Sequence, residues 1–195
     1  MVGYRLDRIL REIRACQLCA AVLPCEPRPV VQAHTSAKIL IAAQAPGTKV
    51  HETGVPFNDP SGERLRDWMG ISREDFYDDK IVSIVPMGFC YPGKGKSGDL
   101  PPRPECATAW REKILSQLTN IQLRVVIGQY AFKYHLPERK GNLTEAVQQW
   151  QQDWPHTLLL PHPSPRNNIW LKKNPWFEEV IVPKLKMRVA EVLAG

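Results

Sequence analysis

The chain has 195 residues, of which 43% are hydrophobic and 24% are charged, a balance that is ordinary for a globular protein with a sizeable core. It contains no apolar run near the ~18 residues of a membrane helix, and its first residues lack the apolar stretch of a secretion signal. We therefore expect a single domain over residues 1–195, a monomer in the cytoplasm with no membrane partner. The net charge of +6 fits either a polyanionic partner or a basic enzyme without one.

The hydrophobic pattern predicts helices and strands that alternate along the chain. Apolar residues at helical spacing predict a first helix over residues 4–16. Four short apolar runs predict buried strands at 38–43, 80–85, 123–127 and 157–160. Further helices are predicted at 62–69, 105–118, 130–135, 143–150 and 175–193. Continuous apolar strands between helices are typical of a covered parallel sheet, so we predict an α/β fold, a three-layer α/β/α sandwich around four parallel strands.

Two short polar motifs each follow a predicted strand. The sequence Q-A-P-G at 44–47 comes after the first strand, and H-P-S-P at 162–165 comes after the fourth. In open α/β sheets, ligands bind outside the carboxyl ends of the strands. We therefore expect the two motifs to share one crevice although they are far apart in the chain.

Four of the five cysteines are spaced as two pairs. Cys16 and Cys19 form a C-x2-C pair, and fifteen residues separate Cys90 from Cys106. In a cytosolic protein such cysteines favour metal ligation over disulfides, and four thiolates can hold a [4Fe–4S] cluster or a zinc ion. The alternative is that the four thiols are buried as small apolar groups. Cys25 has no assigned role.

Together, these motifs and spacings resemble the uracil-DNA glycosylase superfamily, and within it the iron–sulfur branch. The similarity covers roughly residues 10–190 and includes, in order, one cysteine pair, A-Q-A-P-G, Phe57, the second cysteine pair and H-P-S. The resemblance implies a monofunctional DNA glycosylase of base excision repair. Such a hydrolase uses an activated water to cleave the N-glycosidic bond of a flipped uracil or another deaminated or damaged base. It also implies DNA as the partner and a [4Fe–4S] cluster, or alternatively zinc, as the cofactor on Cys16, Cys19, Cys90 and Cys106.

The resemblance also implies roles for single residues. The loop with Gln44, Ala45 and Gly47 would hold the flipped base through its backbone, and the ring of Phe57 would stack on that base. His162 would stabilise the negative charge of the departing base. The segment that enters the duplex would supply Ser164, Arg166 and Asn167 as DNA contacts, with Arg166 as a wedge or a phosphate contact.

The first departure from the family pattern concerns the attacking water. Ala45 stands where several relatives place an Asp or Asn that positions it, and the acidic positions of the iron–sulfur branch fall on Val50 and His51. The nearby candidates are His51, Glu52 and Asp59, because a neutral imidazole or a carboxylate can orient water. An ordinary solvated loop explains His51 and Glu52 equally well.

The second departure concerns recognition of the base. The Asn that reads a pyrimidine edge in many relatives falls on Ser83, or on Pro86 when the alignment starts from Cys90. Neither residue carries a carboxamide, which offers both a donor and an acceptor. The identity of the base therefore stays open. The alternative function is a non-catalytic protein that binds damaged or single-stranded DNA.

Overall fold

The computed structural model describes residues 2–96 and 98–195 and contains four strands connected by helices. The strands are β1 (Ile39–Ala42), β2 (Val82–Ile84), β3 (Leu123–Ile127) and β4 (Thr157–Leu160). The helices are α1 (Val2–Arg14), α2 (Thr48–Thr53), α3 (Pro60–Met69), α4 (Arg73–Tyr77), α5 (Glu112–Leu115), α6 (Gly128–His135), α7 (Leu143–Gln148), α8 (Asn168–Lys173) and α9 (Val182–Ala194). Two π-helical turns, Ala107–Arg111 and Phe177–Ile181, lead into α5 and α9, and 3-10 turns occupy Trp150–Gln152 and Pro165–Asn167.

The four strands form one parallel sheet in the order β2-β1-β3-β4. In the central strand β1, Ile39 pairs with Val82 of β2 and with Leu123 of β3. Every residue of β1 and β4 is buried, as expected for parallel strands that are covered on both faces. The predicted parallel sheet is therefore confirmed.

Helices pack on both faces of the sheet. Successive side chains of a strand point to opposite faces, so Ile39 and Ile41 lie on one face and Leu40 lies on the other. The first two belong to a core that includes residues of α3 and α9, whereas Leu40 packs in a second core with residues of α1 and α5. This arrangement confirms the predicted α/β fold with its sheet between helical layers.

The structure differs from the sequence-based prediction mainly at element ends. The helix predicted from residue 62 begins at Pro60, because the Asp59 side chain caps it by accepting a hydrogen bond from the Gly62 N–H at 2.9 Å. The short helices α2, α4 and α8 were not predicted, since five or six residues carry too little periodicity to detect. Among the helices of the described residues, none is long and apolar enough to cross a membrane.

Candidate active site

A cavity of about 600 Å³ opens at the carboxyl edge of the sheet. Segments that follow all four strands line it. The lining residues include Gln44, Ala45 and Gly47 after β1, Pro86 after β2, Tyr130 after β3, and His162 and Ser164 after β4. The prediction that Q-A-P-G and H-P-S-P share one crevice is therefore confirmed. The volume lies within the range of small-molecule sites.

His162 is half-buried at the end of β4, and its hydrogen bonds determine which nitrogen carries the proton. The backbone N–H of Ser164 donates to Nδ1 of His162 at 3.2 Å, so the neutral imidazole carries its proton on Nε2. Burial lowers the pKa of His162 from its usual 6.5, while the negative charges of Asp59 and Asp99 oppose this shift. At neutral pH the ring is therefore uncharged and offers one N–H donor from Nε2.

The loop that carries His162 is held by a second local contact. The side-chain amide of Asn167 donates to the backbone carbonyl of His162 at 2.7 Å. The Ser164 hydroxyl accepts from the Arg166 N–H at 3.2 Å and so caps the following 3-10 turn. Ser164, Arg166 and Asn167 all line the cavity beside His162, with Arg166 exposed.

Phe57 lines the cavity in a backbone conformation that is rare for an aromatic residue, with φ of 53°. Its carbonyl accepts hydrogen bonds from the Tyr77 hydroxyl at 3.3 Å and from Nη1 of Arg66 at 3.5 Å. Its ring also packs edge-on against Phe76, with the centroids 6.1 Å apart. A left-handed conformation at such a residue costs on the order of 1–3 kcal/mol, and strain of this kind occurs at ligand sites. These contacts hold Phe57 in the cavity wall.

Two predicted catalytic residues, His51 and Glu52, are not among the described residues that line the cavity, although Lys49 and Val50 of the same helix α2 are. The His51 ring is half-buried, 6.1 Å from Tyr91 between ring centroids, and its Nδ1 has no hydrogen-bond partner within the described part of the chain. Glu52 is exposed. Their water-positioning role stays a prediction, which the lining of the cavity does not favour.

The predicted base-binding residue Ser83 is also not brought to the cavity. It lies in β2, completely buried, and its hydroxyl accepts a hydrogen bond from the His34 N–H at 3.3 Å. Its neighbour Ile84 lines the cavity instead, because alternate residues of a strand point to opposite faces. Pro86, the position given by the other alignment, also lines it.

The lining residues that were not predicted as site residues include Asp99 and Tyr130. Tyr130 lies in the first turn of α6, directly after β3, so the rule that ligands bind at the carboxyl ends of strands could have identified it. Asp99 lies in the long segment between Cys90 and Cys106, and no local sequence signal marks it. Asp59, named only as a nearby candidate, lines the cavity as well.

The four paired cysteines line one small apolar cavity of about 20 Å³ on another part of the molecule, whereas Cys25 is exposed and not among its lining residues. N–H groups approach two of the sulfurs, from Trp110 to Cys16 at 3.4 Å and from the Phe89 backbone to Cys106 at 3.5 Å. Within residues 2–96 and 98–195, no three His, Cys, Asp or Glu side chains are arranged around a single metal ion.

The electrostatics of these thiols bear on whether they fit a metal group. Burial raises the pKa of Cys90 to about 11; a hydrogen bond from the Arg28 backbone opposes this rise, and the nearby Cys106 contributes to it. Burial likewise raises the pKa of Cys106. Four thiolates would repel one another in this pocket, and a bound cationic centre would offset that repulsion. The chemistry of the donor set, four sulfurs with N–H groups beside two of them, is therefore suited to a thiolate-bound metal group.

The fold is an α/β fold with a cavity at the carboxyl edge of its sheet, and a neutral histidine lines that cavity. A sequence model of the Uracil DNA glycosylase superfamily matches residues 31–186, which is most of the chain. The chain belongs to this superfamily. Membership suggests a DNA glycosylase, a hydrolase that binds DNA. The matched segment contains both polar motifs, Cys90 and Cys106, but not Cys16 or Cys19.

Proposed function

We propose that the chain is a monofunctional DNA glycosylase of base excision repair that acts on uracil or another deaminated or damaged base. The observation that carries the proposal is the neutral His162 with its Nε2–H donor in the cavity shared with the Q-A-P-G loop. When an N-glycosidic bond breaks, negative charge develops on the base. A donor already held in place stabilises that charge without reorganisation, an effect typically worth about 3 kcal/mol.

The cavity has the features that a flipped base requires. An extruded base must be stacked and hydrogen-bonded in a fitted pocket, because it has lost its partners in the duplex. Phe57 supplies an aromatic face, and the segment with Gln44, Ala45 and Gly47 supplies backbone groups that can approach the base closely. Arg166, Ser164 and Asn167 at the cavity rim would contact the DNA backbone where the base leaves the helix.

We also propose that the chain belongs to the iron–sulfur branch, with a [4Fe–4S] cluster held by Cys16, Cys19, Cys90 and Cys106 and with zinc as the alternative. When bound, the group would supply a covalent crosslink between three separate segments. The cysteines themselves join the segment after α1, the segment after β2 and the start of the π-helical turn before α5. This crosslink is structural, because the active-site cavity and the cysteine cavity share no lining residue.

One observation favours a second candidate, a non-catalytic protein that binds damaged or single-stranded DNA. Where β2 meets the cavity, the described lining residues are Ile84 and Pro86, which provide no side-chain amide to read a pyrimidine edge. A protein without selective base contacts could still bind DNA through cationic side chains at the cavity, such as Lys49 and Arg166.

A panel of oligonucleotides separates the two candidates. The purified protein is incubated with single- and double-stranded DNA that carries uracil, hypoxanthine, xanthine or other lesions, and abasic product is measured after alkaline cleavage. We expect abasic product from at least one lesion and no strand cleavage before alkali, since water rather than an amine attacks the sugar. Binding without product across the whole panel would instead support the binding protein.

A further inference from the structure

Residues 91–96 and 98–105, between Cys90 and Cys106, form the arms of a hairpin that reaches the active-site cavity. Its two arms meet where Lys94 and Asp99 form an antiparallel bridge, and the Leu100 N–H donates to the Gly93 carbonyl at 2.8 Å. The hairpin starts and ends at the cysteine cavity, yet its Gly98 and Asp99 line the active-site cavity. The hairpin therefore places a carboxylate in the active-site cavity while both of its ends lie at the cysteine cavity.

Asp99 lies between the two polar motifs. Its Oδ2 is 3.6 Å from the position that a Cβ atom on Gly47 would occupy, which places the carboxylate beside the Q-A-P-G loop. On the other side, the negative charges of Asp59 and, to a smaller extent, Asp99 oppose the fall in the pKa of His162, so both carboxylates lie near that imidazole. The Asp99 carboxylate thus faces the space between the base-binding loop and the histidine donor.

Asp59 is the other carboxylate among the described lining residues, but its side chain already has a structural partner. Oδ1 of Asp59 accepts from the Gly62 N–H and so caps α3. Asp99 is exposed, and its side chain accepts no hydrogen bond from a protein donor within residues 2–96 and 98–195. Its acceptor capacity is therefore available to a water molecule or to the substrate.

We infer that Asp99 is the catalytic carboxylate that orients and deprotonates the attacking water, a role that no motif of the sequence assigns to it. The inference rests on the proposed function. The water oxygen bonds to the anomeric carbon of the sugar, and the bond from that carbon to the base nitrogen breaks with its electron pair staying on the base. The water proton passes to Asp99, while His162 stabilises the departing anion, which then takes a proton from solvent. The carboxylate also stabilises the positive charge that develops on the sugar.

The test compares three variants on a lesion oligonucleotide that the wild-type protein cleaves. Asp99→Asn keeps the size of the side chain but removes its basicity, and we expect the single-turnover rate to fall by about 100-fold or more. Affinity for the lesion DNA should be retained, because losing a negative charge does not weaken phosphate contacts. The matched control is Asp79→Asn, an exposed carboxylate before β2 that is not among the described lining residues and that should leave the rate unchanged.

Chemical rescue distinguishes catalysis from a structural role. Because Asp99 is exposed, added formate can enter the space left in Asp99→Gly. We expect formate to raise the single-turnover rate of this variant at least about tenfold. An Asp99→Asn protein that cleaves at the wild-type rate would overturn the inference. A slow Asp99→Gly protein that formate does not accelerate would overturn it too, because the carboxylate would then only hold the hairpin. If the wild-type protein cleaves no lesion, the proposed function fails and this inference fails with it. If the wild-type protein is active and one of the two contrary results is obtained, only the role of Asp99 is refuted.

Discussion

At the scale of single residues, the protonation state of His162 links the geometry to the proposed chemistry. A charged imidazolium carries its second proton before any negative charge develops on the base. A neutral N–H donor instead forms a stronger hydrogen bond as the anion of the base forms. Two features of the structure favour the neutral form of His162. The Ser164 N–H requires an unprotonated Nδ1, and burial lowers the pKa of the imidazole. The hydrogen bond arises within the H-P-S-P loop, whereas the pKa also depends on Asp59 and Asp99 from other segments.

The first prediction concerns removal of this donor. His162→Ala should lower the single-turnover rate on a confirmed substrate by about 100-fold or more, the typical cost of losing one such donor. Affinity for lesion DNA should change little, because phosphate contacts dominate binding. Rapid-quench kinetics and a filter-binding or anisotropy titration measure the two quantities. Wild-type cleavage by His162→Ala would show that the H-P-S-P loop is structural.

Arg166→Ala provides the contrasting variant for the same experiment. Arg166 is exposed at the cavity rim, so its loss should weaken DNA binding and reduce the slope of affinity against salt concentration. The rate of the fully bound complex should fall much less than in His162→Ala. An unchanged salt slope would indicate that Arg166 makes no phosphate contact.

The second prediction concerns pH. Because the pKa of His162 is lowered from 6.5, the imidazole should be mainly neutral between about pH 8 and about pH 6.5 and should become mainly charged only at more acidic pH. Titration of His162 should therefore cause no large fall in the single-turnover rate across that pH interval. A rate that falls with a midpoint above 6.5 would contradict a lowered pKa and would show that the ring is charged in the free protein.

At the scale of secondary-structure elements, the start of α3 positions Phe57. A Cβ atom on Gly62 would lie 1.8 Å from the carbonyl oxygen of Phe57, so only glycine allows α3 to begin so close to that strained residue. The same Gly62 N–H binds the Asp59 cap. The helix start, the left-handed conformation of Phe57 and the cavity wall are therefore one local arrangement.

The third prediction tests this arrangement with Gly62→Ala. The clash is with backbone, which cannot rotate away, so we expect a loss of roughly 1–3 kcal/mol in the free energy of unfolding. Displacement of Phe57 should also weaken binding of lesion DNA relative to undamaged DNA of the same length. Glu63→Ala at the next, exposed position is the control and should change stability by only a few tenths of a kcal/mol. Equal stability of Gly62→Ala and the wild type in denaturant titrations would refute the clash.

At the scale of the whole molecule, the cysteine cavity brings together segments that are far apart in the chain. Cys16 and Cys19 follow α1 on one face of the sheet, while Cys90 and Cys106 bracket the hairpin that delivers Asp99 to the active site. A group bound there would fix both ends of that hairpin. Loss of the group would then allow the hairpin to shift and would change the position of Asp99 in the active-site cavity.

The fourth prediction concerns metal content. Protein purified without oxygen should contain iron and acid-labile sulfide, with broad absorbance at about 400 nm, as expected for thiolate-bound iron. Cys106→Ser should deplete both elements because Cys106 lines the buried cavity. Cys25→Ser should leave them unchanged because Cys25 is exposed and not among the lining residues. Colourless protein with one zinc per chain would show that the four cysteines bind zinc instead of a cluster. Metal-free wild-type protein would show that they form no metal site.

Much of the architecture was predictable because it depends on local patterns. Four short apolar runs separated by helical stretches predict a covered parallel sheet, and the strand ends predicted from sequence lie within a few residues of those observed. The convergence of Q-A-P-G and H-P-S-P followed from the rule that parallel strands present their carboxyl ends at one edge. The position of Ser83 was not predictable in the same way, because a shift of one residue in β2 exchanges the two faces of the strand.

The sequence by itself determined the class of fold and the edge of the sheet where both polar motifs meet, because periodicity and motif position are properties of neighbouring residues. Only the tertiary structure decided that a second carboxylate, besides the sequence candidate Asp59, lies in the cavity with that histidine. His51 and Glu52 lie closer in sequence to the Q-A-P-G loop, yet Asp99, some fifty residues later, lines the cavity and they do not. The physical reason is that the path of the hairpin between Cys90 and Cys106 depends on packing against distant segments, and sequence proximity carries no information about such contacts.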